Sequence, residues 1–346
     1  MNMLYPDPPP LVSIIVPVYN VREHLESCLA SLSAVRYPRK EIILVDDAST
    51  DGSGGLCDEY CEANDFAVVI HFPVNQGVSF ARAEGLENAR GDYVVFVDAD
   101  DHVHPDLLDR MMEAALAHGA DLVCSQIWHV RNGTKKVEIA SIFGVIEKAD
   151  IDRHLRSDLV HNFKFGNPGM PLFIYGKLYR KEVIVPCIRV GLGLRYGEDT
   201  ITVLACLLTQ VQKMVCLEDP LYYYVHHASQ ITARHQSFIW PLFIPYYERL
   251  DELGGEVFFR QLVPRIWNRI KPGLYDHWRN WGGLVSDNRF VRMNRAFRNT
   301  PVLKKYLWDN PDVPAFIRRK PHFFLMRHRL YWADYLLYCL IWRLYR

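Results

Sequence analysis

The sequence lacks an excess of charge of either sign. Lysine plus arginine and aspartate plus glutamate both total 40, a balance that points away from a nucleic-acid binder and from a binder of strongly acidic substrates. The eight cysteines include no CxxC pair and show no even spacing, so neither a zinc site nor a disulfide frame is expected, and a reducing cytoplasm fits. Cys57 and Cys61 are four apart and can share a helix face, but two thiols alone make a poor metal site and read as small buried hydrophobes. No uninterrupted apolar stretch reaches the eighteen or so residues that a bilayer span requires. The opening MNMLYPDPPP has no basic region followed by an apolar one, so no signal peptide is expected. Internal repeats and low-complexity linkers are also absent.

What is there is a chain of 346 residues, 49% of them hydrophobic, enough for two domains or one enlarged one. Charge is unevenly placed. Acidic residues outnumber basic ones through about residue 120, whereas the last thirty residues carry Arg318, Arg319, Lys320, Arg327, Arg329, Arg343 and Arg346 against Asp334.

From residue 11 short apolar runs alternate with helical spacing. LVSIIVPVY, EIILVD, FAVVIHF and DYVVFVD read as strands; VREHLESCLASLSA, the stretch from about Gly54 to Ala63, VSFARAEGLENA and PDLLDRMMEAALAHG read as helices. Strands rich in valine and isoleucine that alternate with helices predict a mostly parallel sheet covered on both faces. In such a sheet, ligands bind outside the carboxyl ends of the strands. The segments there are PVYN (17 to 20), DDASTDGS (46 to 53) and DADDHVH (98 to 104), all polar and together rich in carboxylates. After DLVCS the alternation stops. IWHVRNGTKKVEIA reads as a hairpin turning at Asn132-Gly133, the better reading of a formal glycosylation sequon. Helical spacing is read at PLFIYGKLYRKEV and EDTITVLACLLTQ, a strand pair around KMVCLEDPLYYYV, and mostly helix from 236 onward.

PVYN, EIILVDDASTDGS, NQGVSFARAEGL, YVVFVDADD and GEDTITVL resemble, in order and spacing, the inverting family 2 glycosyltransferases of GT-A fold, of the kind that builds bacterial surface polysaccharide. The resemblance covers about residues 11 to 232 and rests on five separate motifs. It implies a catalytic domain over 1–235, with a nucleotide-sugar part (11–125) and an acceptor and base part (126–235), and a helical region over 236–346.

Each motif also has a reading of its own. Carboxylates two apart after a strand suit a hard divalent cation that stabilises a diphosphate leaving group, or an Asp-rich helix cap before Pro105. The resemblance makes Asp100 the expected ligand of Mn2+ or Mg2+, Asp98 a contact to ribose or metal, with Ala99 beside them and Asp101 assisting. Asp46 and Asp47 can accept from the imide N–H of a base such as uracil; Asp47 and Ser49 can also, or instead, cap the next helix. Asp47 is favoured for the base. Ala48, where the family usually has glycine, implies a turn without positive φ. Pro17 and Tyr19 are placed beside the nucleotide, Tyr19 being able to cover the base or, as a lone aromatic, to belong to the core. Asn75, Gly77 and Arg82 are placed along the donor pocket, where Arg82 can meet a phosphate or sugar hydroxyl or pair with an acidic neighbour. Glu198 and Asp199 can cap a helix, or act in displacement by an acceptor hydroxyl. The resemblance makes Asp199 the base and Glu198 its neighbour. Tyr224 stands where the family often has arginine, which leaves His226 or His227 either to take over a role at the diphosphate or metal or to be a surface or core histidine pair.

Trp332, Tyr335, Leu336, Leu340 and Tyr345 interleave with arginines in the C-terminal tail. This suits a peripheral contact with an anionic membrane face, where a lipid-linked acceptor would be met, or a helix packed on the core or a second subunit. The expected activity is metal-dependent transfer of a sugar from a nucleotide-diphosphate donor, with UDP-sugars favoured, to a hydroxyl of a glycan or lipid-linked saccharide. A haloacid dehalogenase-like phosphatase also begins from a strand ending in DxD, but that motif normally continues to threonine or valine, where this chain has Asp101. A nucleotide- or glycan-binding protein without turnover would not need the GED base.

Overall fold

The computed structural model describes residues 5–138, 142–157, 172–227, 244–254, 298–309 and 327–328. The chain falls into two compact units, Met1–Arg234 and His235–Arg346. In the second, the described residues comprise a helical stretch at 244–254, a short turn of helix at Pro301–Leu303 and a wider turn at Lys304–Trp308. The basic, aromatic tail from 329 lies outside the described residues.

The first unit is built on a ten-stranded sheet. Its first half follows the predicted alternation, β1 (Val12–Val18), α1 (Arg22–Ser33), β2 (Lys40–Asp46), α2 (Ser53–Glu62), β3 (Ala67–His71), α3 (Val78–Asn88), β4 (Tyr93–Phe96) and α4 (Leu107–His118), with one short strand, β5 (His102–Val103), in the stretch read as loop between β4 and α4. Strands β3, β2, β1 and β4 lie side by side and parallel. Every residue of β1 is buried, as expected of a strand with helices on both faces. Pro17 lies past the last β1–β4 pair, Ile15 with Phe96, so its missing N–H interrupts no ladder there.

Helix α3 lies unusually close to the sheet. A Cβ built on Gly85 would run into Ile15 of β1 and come close to Val45 of β2. Gly85→Ala is therefore expected to destabilise the protein by about 1–2 kcal/mol. The overpacking cost of roughly 1–3 kcal/mol exceeds the gain of up to about 1 kcal/mol in helix propensity. A lower denaturation midpoint in urea checks it; an unchanged or higher one would show that the sheet can give way.

The second half departs from the alternation. β6 (Leu122–Arg131) and β7 (Thr134–Glu138) form the predicted hairpin, with positive φ at both Asn132 and Gly133 as a type I′ turn requires. They are followed by β8 (Gly144–Glu147), α5 (Lys148–Ser157), β9 (Lys177–Arg180), α6 (Lys181–Ile188), a 3-10 turn at Arg189–Gly191, α7 (Glu198–Thr209) and β10 (Lys213–Val225). Two sequence readings are corrected here. KLYR, read within a helical stretch, is strand β9, antiparallel to both β4 and β6. Its backbone fills the slot between those strands and satisfies both edges, which outweighs local spacing. KMVCLEDPLYYYV, read as a strand pair, is the single strand β10, with its register against β6 shifted on either side of Pro220. Proline removes one ladder donor there, and the strand bulges instead of turning back.

This arrangement decides where the site lies. Two antiparallel pairings in succession make β6 parallel to β4, and β10 is parallel to β6. The carboxyl ends of β1, β2, β3, β4 and β10 therefore open on the same edge.

Candidate active site

The loops after these strands meet at that edge, and the first two are stitched together. After β1, the chain at Asn20–Arg22 donates backbone N–H groups to Ser49 Oγ, Ser53 Oγ and Asp51 Oδ2, each at 3.0 Å, while Asn20 Oδ1 accepts from Thr50 N–H at 2.8 Å. Asp51 also accepts from Ser53 N–H at 2.9 Å, so the carboxylate that serves the start of α2 is Asp51 and not Asp47. Polar residues crowd this stretch, and local spacing carried no signal for which one would do so.

Asp46 and Asp47 are both buried and have different partners. Asp46 Oδ1 accepts from Ser49 N–H at 3.1 Å, and Oδ2 is 2.9 Å from His71 Nδ1. Asp47 clasps the β3–α3 loop: Oδ1 accepts from Gln76 N–H at 2.6 Å, and Oδ2 from Gly77 N–H at 2.8 Å and Asn75 Nδ2 at 2.9 Å. Gly77 has φ 99°, a backbone that favours glycine, and directs its N–H at that carboxylate as α3 begins. Between the strand end and this clasp, Ala48 has φ 60°. The expectation of a turn without positive φ is thus corrected: the turn keeps the left-handed conformation and alanine bears its cost. Ala48→Gly is expected to stabilise the protein by up to about 1 kcal/mol, the left-handed penalty of roughly 1–2 kcal/mol less glycine's extra chain entropy. A rise in melting temperature is the check. Tyr19, at the mouth of the site, is 50% exposed, while Pro17 and Ala99 are buried.

The DADD loop after β4 divides its carboxylates. Asp101 is buried and structural: Tyr222 Oη–H donates to Oδ2 and Val225 N–H to Oδ1, both at 2.8 Å. Burial pushes its pKa well up, with Asp98 and Asp100 adding to the rise. The same Tyr222 hydroxyl accepts Asp98 N–H at 3.1 Å, so one tyrosine of β10 fixes both ends of the loop. Asp100 reaches the opposite way, with Oδ2 2.7 Å from His227 Nε2. The His227 ring lies against His24 of α1, with centroids 4.2 Å apart. His226, expected as a metal ligand, is directed elsewhere: its Nε2 is 2.9 Å from His129 Nδ1. Alternation along the chain puts neighbouring histidines on opposite sides, and it is His227 that falls beside Asp100.

Arg82 ties these loops to the start of α7. It is 3% exposed and lies on α3, five residues after Gly77. Its Nη2 donates to Asp98 Oδ1 at 2.7 Å; its Nη1 donates to Asp199 Oδ1 and contacts Glu198 Oε1 at 3.4 Å. Burial works against the guanidinium's charge, but Asp199, Asp98 and Glu198 hold it firmly protonated. Burial pushes Asp199 up to about 7; Arg82 opposes the rise, and Glu198 and Asp98 add to it. Asp98 is also raised by burial, against the pull of Arg82. One cation therefore faces three carboxylates contributed by two motifs 100 residues apart, with Asp100 close by. Among the described residues, no three His, Cys, Asp or Glu side chains converge as a ready-made metal cage.

Together these features define an α/β protein whose parallel strands end in a carboxylate-lined site held by a buried arginine. The Glycosyl transferase family 2 profile matches residues 13–184, about half of the chain. The uncharacterized glycosyltransferase EpsJ of Bacillus subtilis is 29% identical over 315 residues, covering 90% of this chain and 82% of that protein. The crystal structure of S. aureus TarS 1–349 in complex with UDP-GlcNAc superimposes with a TM-score of 0.66 at 18% identity, over 92% of this chain and 87% of that one. The mannosyltransferase PcManGT from Pyrobaculum calidifontis, in complex with GDP-Man and Mn2+, gives 0.51 at 16% identity, over 87% and 88%. The chain belongs to glycosyl transferase family 2 and is a glycosyltransferase of GT-A fold. The phosphatase reading of DADD falls with that assignment.

Proposed function

We propose that the protein transfers a sugar, with inversion, from a nucleotide-diphosphate donor, a UDP-sugar by preference, to a hydroxyl of a glycan or lipid-linked saccharide. The observation that carries this reading is the Arg82 bridge, which places Asp98 of DADD and the Glu198–Asp199 pair on one guanidinium. The UDP-GlcNAc complex of TarS and the GDP-Man complex of PcManGT support a nucleotide-sugar donor.

Asp199 is the base. Its carboxylate takes the proton of the acceptor hydroxyl as that oxygen attacks the anomeric carbon from the face opposite the diphosphate; the carbon–oxygen bond to the diphosphate breaks, and the electron pair leaves with the nucleotide. Glu198 sits beside it and orients the acceptor or the base. Asp47 holds the base of the nucleotide through the oxygen valence that the 75–77 loop leaves available, with Tyr19 over the nucleotide and Asn75 and Gly77 lining its side. Asp100 and His227, an oxygen and an imidazole nitrogen 2.7 Å apart, would hold a manganese-like or magnesium ion. When bound there, the ion would supply positive charge against the departing diphosphate. No helix among the described residues is long and apolar enough to cross a membrane, and the basic tail is the part that would hold the enzyme at a membrane face to meet a lipid-linked acceptor.

The test is a thermal-shift screen of nucleotide sugars with and without Mn2+. A donor at about 100 times its dissociation constant adds roughly 2.7 kcal/mol to the folded state, a shift of several degrees that should require the metal. Nucleoside diphosphate should then be released only when an acceptor is supplied. Protection by no nucleotide sugar would remove the donor reading.

A further inference from the structure

His71, the last residue of edge strand β3, has a carboxylate at each ring nitrogen. Nδ1 is 2.9 Å from Asp46 Oδ2, and Nε2 is 3.0 Å from Asp58 Oδ1 of α2. An ionised carboxylate only accepts, and a neutral imidazole has one N–H. Both contacts are hydrogen bonds only when the ring carries two protons; a neutral ring sets a nitrogen lone pair against one of the two oxygens. The charged groups facing the ring are Asp46 from β2 and Asp58 from α2. Cys57 of α2, near both carboxylates, remains a neutral thiol, pushed up to about 12 mainly by burial.

The contact governs more than β3. Asp46 uses its other oxygen to hold Ser49 N–H, and Ser49 Oγ in turn holds Asn20 N–H. A side chain at Gly54 would collide with Asp46 Oδ2 and touch the His71 ring, so α2 begins in direct contact with this pair. The neighbouring Asp47 carries the clasp on residues 75–77. The ring thus stands behind the loop that joins both sides of the donor pocket.

We propose that His71 is a positioning residue for the donor site: its imidazolium, clamped between Asp46 and Asp58, fixes the loop from Asp46 to Ser53, and donor affinity falls as the ring loses its second proton. The proposal rests on the donor-binding role given to that loop above. Hydrogen bonds from Asp46 and Asp58 raise the pKa of His71 above the ordinary histidine value, outweighing its partial burial. The clamp is therefore complete below about pH 6.5, where an unperturbed histidine titrates, and is lost as pH rises through the raised value.

The experiment follows the His71 ring by NMR in the full chain and measures binding of UDP, dTDP and GDP, each with Mn2+, between about pH 5.5 and 8.5. The wild-type affinity, taken relative to His71→Gln, is expected to fall about 5- to 10-fold across the interval in which His71 titrates, the effect of losing one charge-assisted hydrogen bond. His71→Gln should bind weakly and without that dependence. Asp58→Asn, on an exposed position, should move both the titration and the affinity loss to lower pH. A relative affinity that stays constant while His71 titrates, or a titration that moves in Asp58→Asn without the affinity following, overturns the proposal and leaves the donor reading standing. Binding of none of the three diphosphates at any pH overturns the donor reading and the proposal with it.

Discussion

Asp199→Asn is expected to lower transfer by about three orders of magnitude while leaving metal-supported donor binding within a fewfold of wild type. Asparagine keeps an oxygen for Arg82 but cannot take a proton, and general-base catalysis contributes roughly 10²–10⁴-fold. The pH profile makes the test specific. With Asp199 held up at about 7 by burial, wild-type kcat/KM should fall as pH drops through that value, because the protonated carboxyl cannot act as a base. The residual rate of the variant should lack that limb. Turnover near the wild-type level, or an unchanged acid limb, would take the base role from Asp199.

Arg82→Ala should affect both stability and activity. Its side chain is buried against Asp98, Glu198 and Asp199, and removing the cation leaves those carboxylates facing one another without compensation. Breaking a buried ion pair from one side costs about 3–5 kcal/mol, so a drop in melting temperature of about 10 °C is expected. Transfer should fall more than 100-fold even where the protein is folded, because Asp199, the proposed base, and the DADD loop lose their common anchor. Arg82→Lys separates charge from geometry. Lysine supplies the charge at one point, whereas arginine reaches Asp98 through one nitrogen and Asp199 through another. The lysine variant should recover much of the stability and little of the rate. Equal recovery of both would show that charge alone suffices.

The parallel half of the fold was legible because its strands read as continuous apolar runs, β1, β2 and β4 being buried almost throughout, and the loops after β2 and β4 carry turn-forming and acidic residues. The second half was less so. Strand β9 exists because β4 and β6 leave an open slot between them, and nothing local in KLYR says that this slot is there. The course of β10 through Pro220 likewise depends on its neighbours. Ala48 misled because a residue type indicates what a backbone prefers; the strand end at Asp46 and the clasp at Asp47 impose what it adopts.

The sequence by itself determined the chemistry on offer: carboxylates at two strand ends, an acidic pair opening a helix, an arginine in NQGVSFAR, and the order of these motifs along the chain. These are local facts, written in residue type and spacing. The tertiary structure decided the assignments among them. It gave Asp101 to Tyr222, Asp47 to the 75–77 loop and Asp46 to His71; it placed His227 rather than His226 beside Asp100, and it set Arg82 between Asp98 and Asp199. A carboxylate's role depends on which donors meet it and how far it is from water, and both are fixed only when elements distant in sequence pack together.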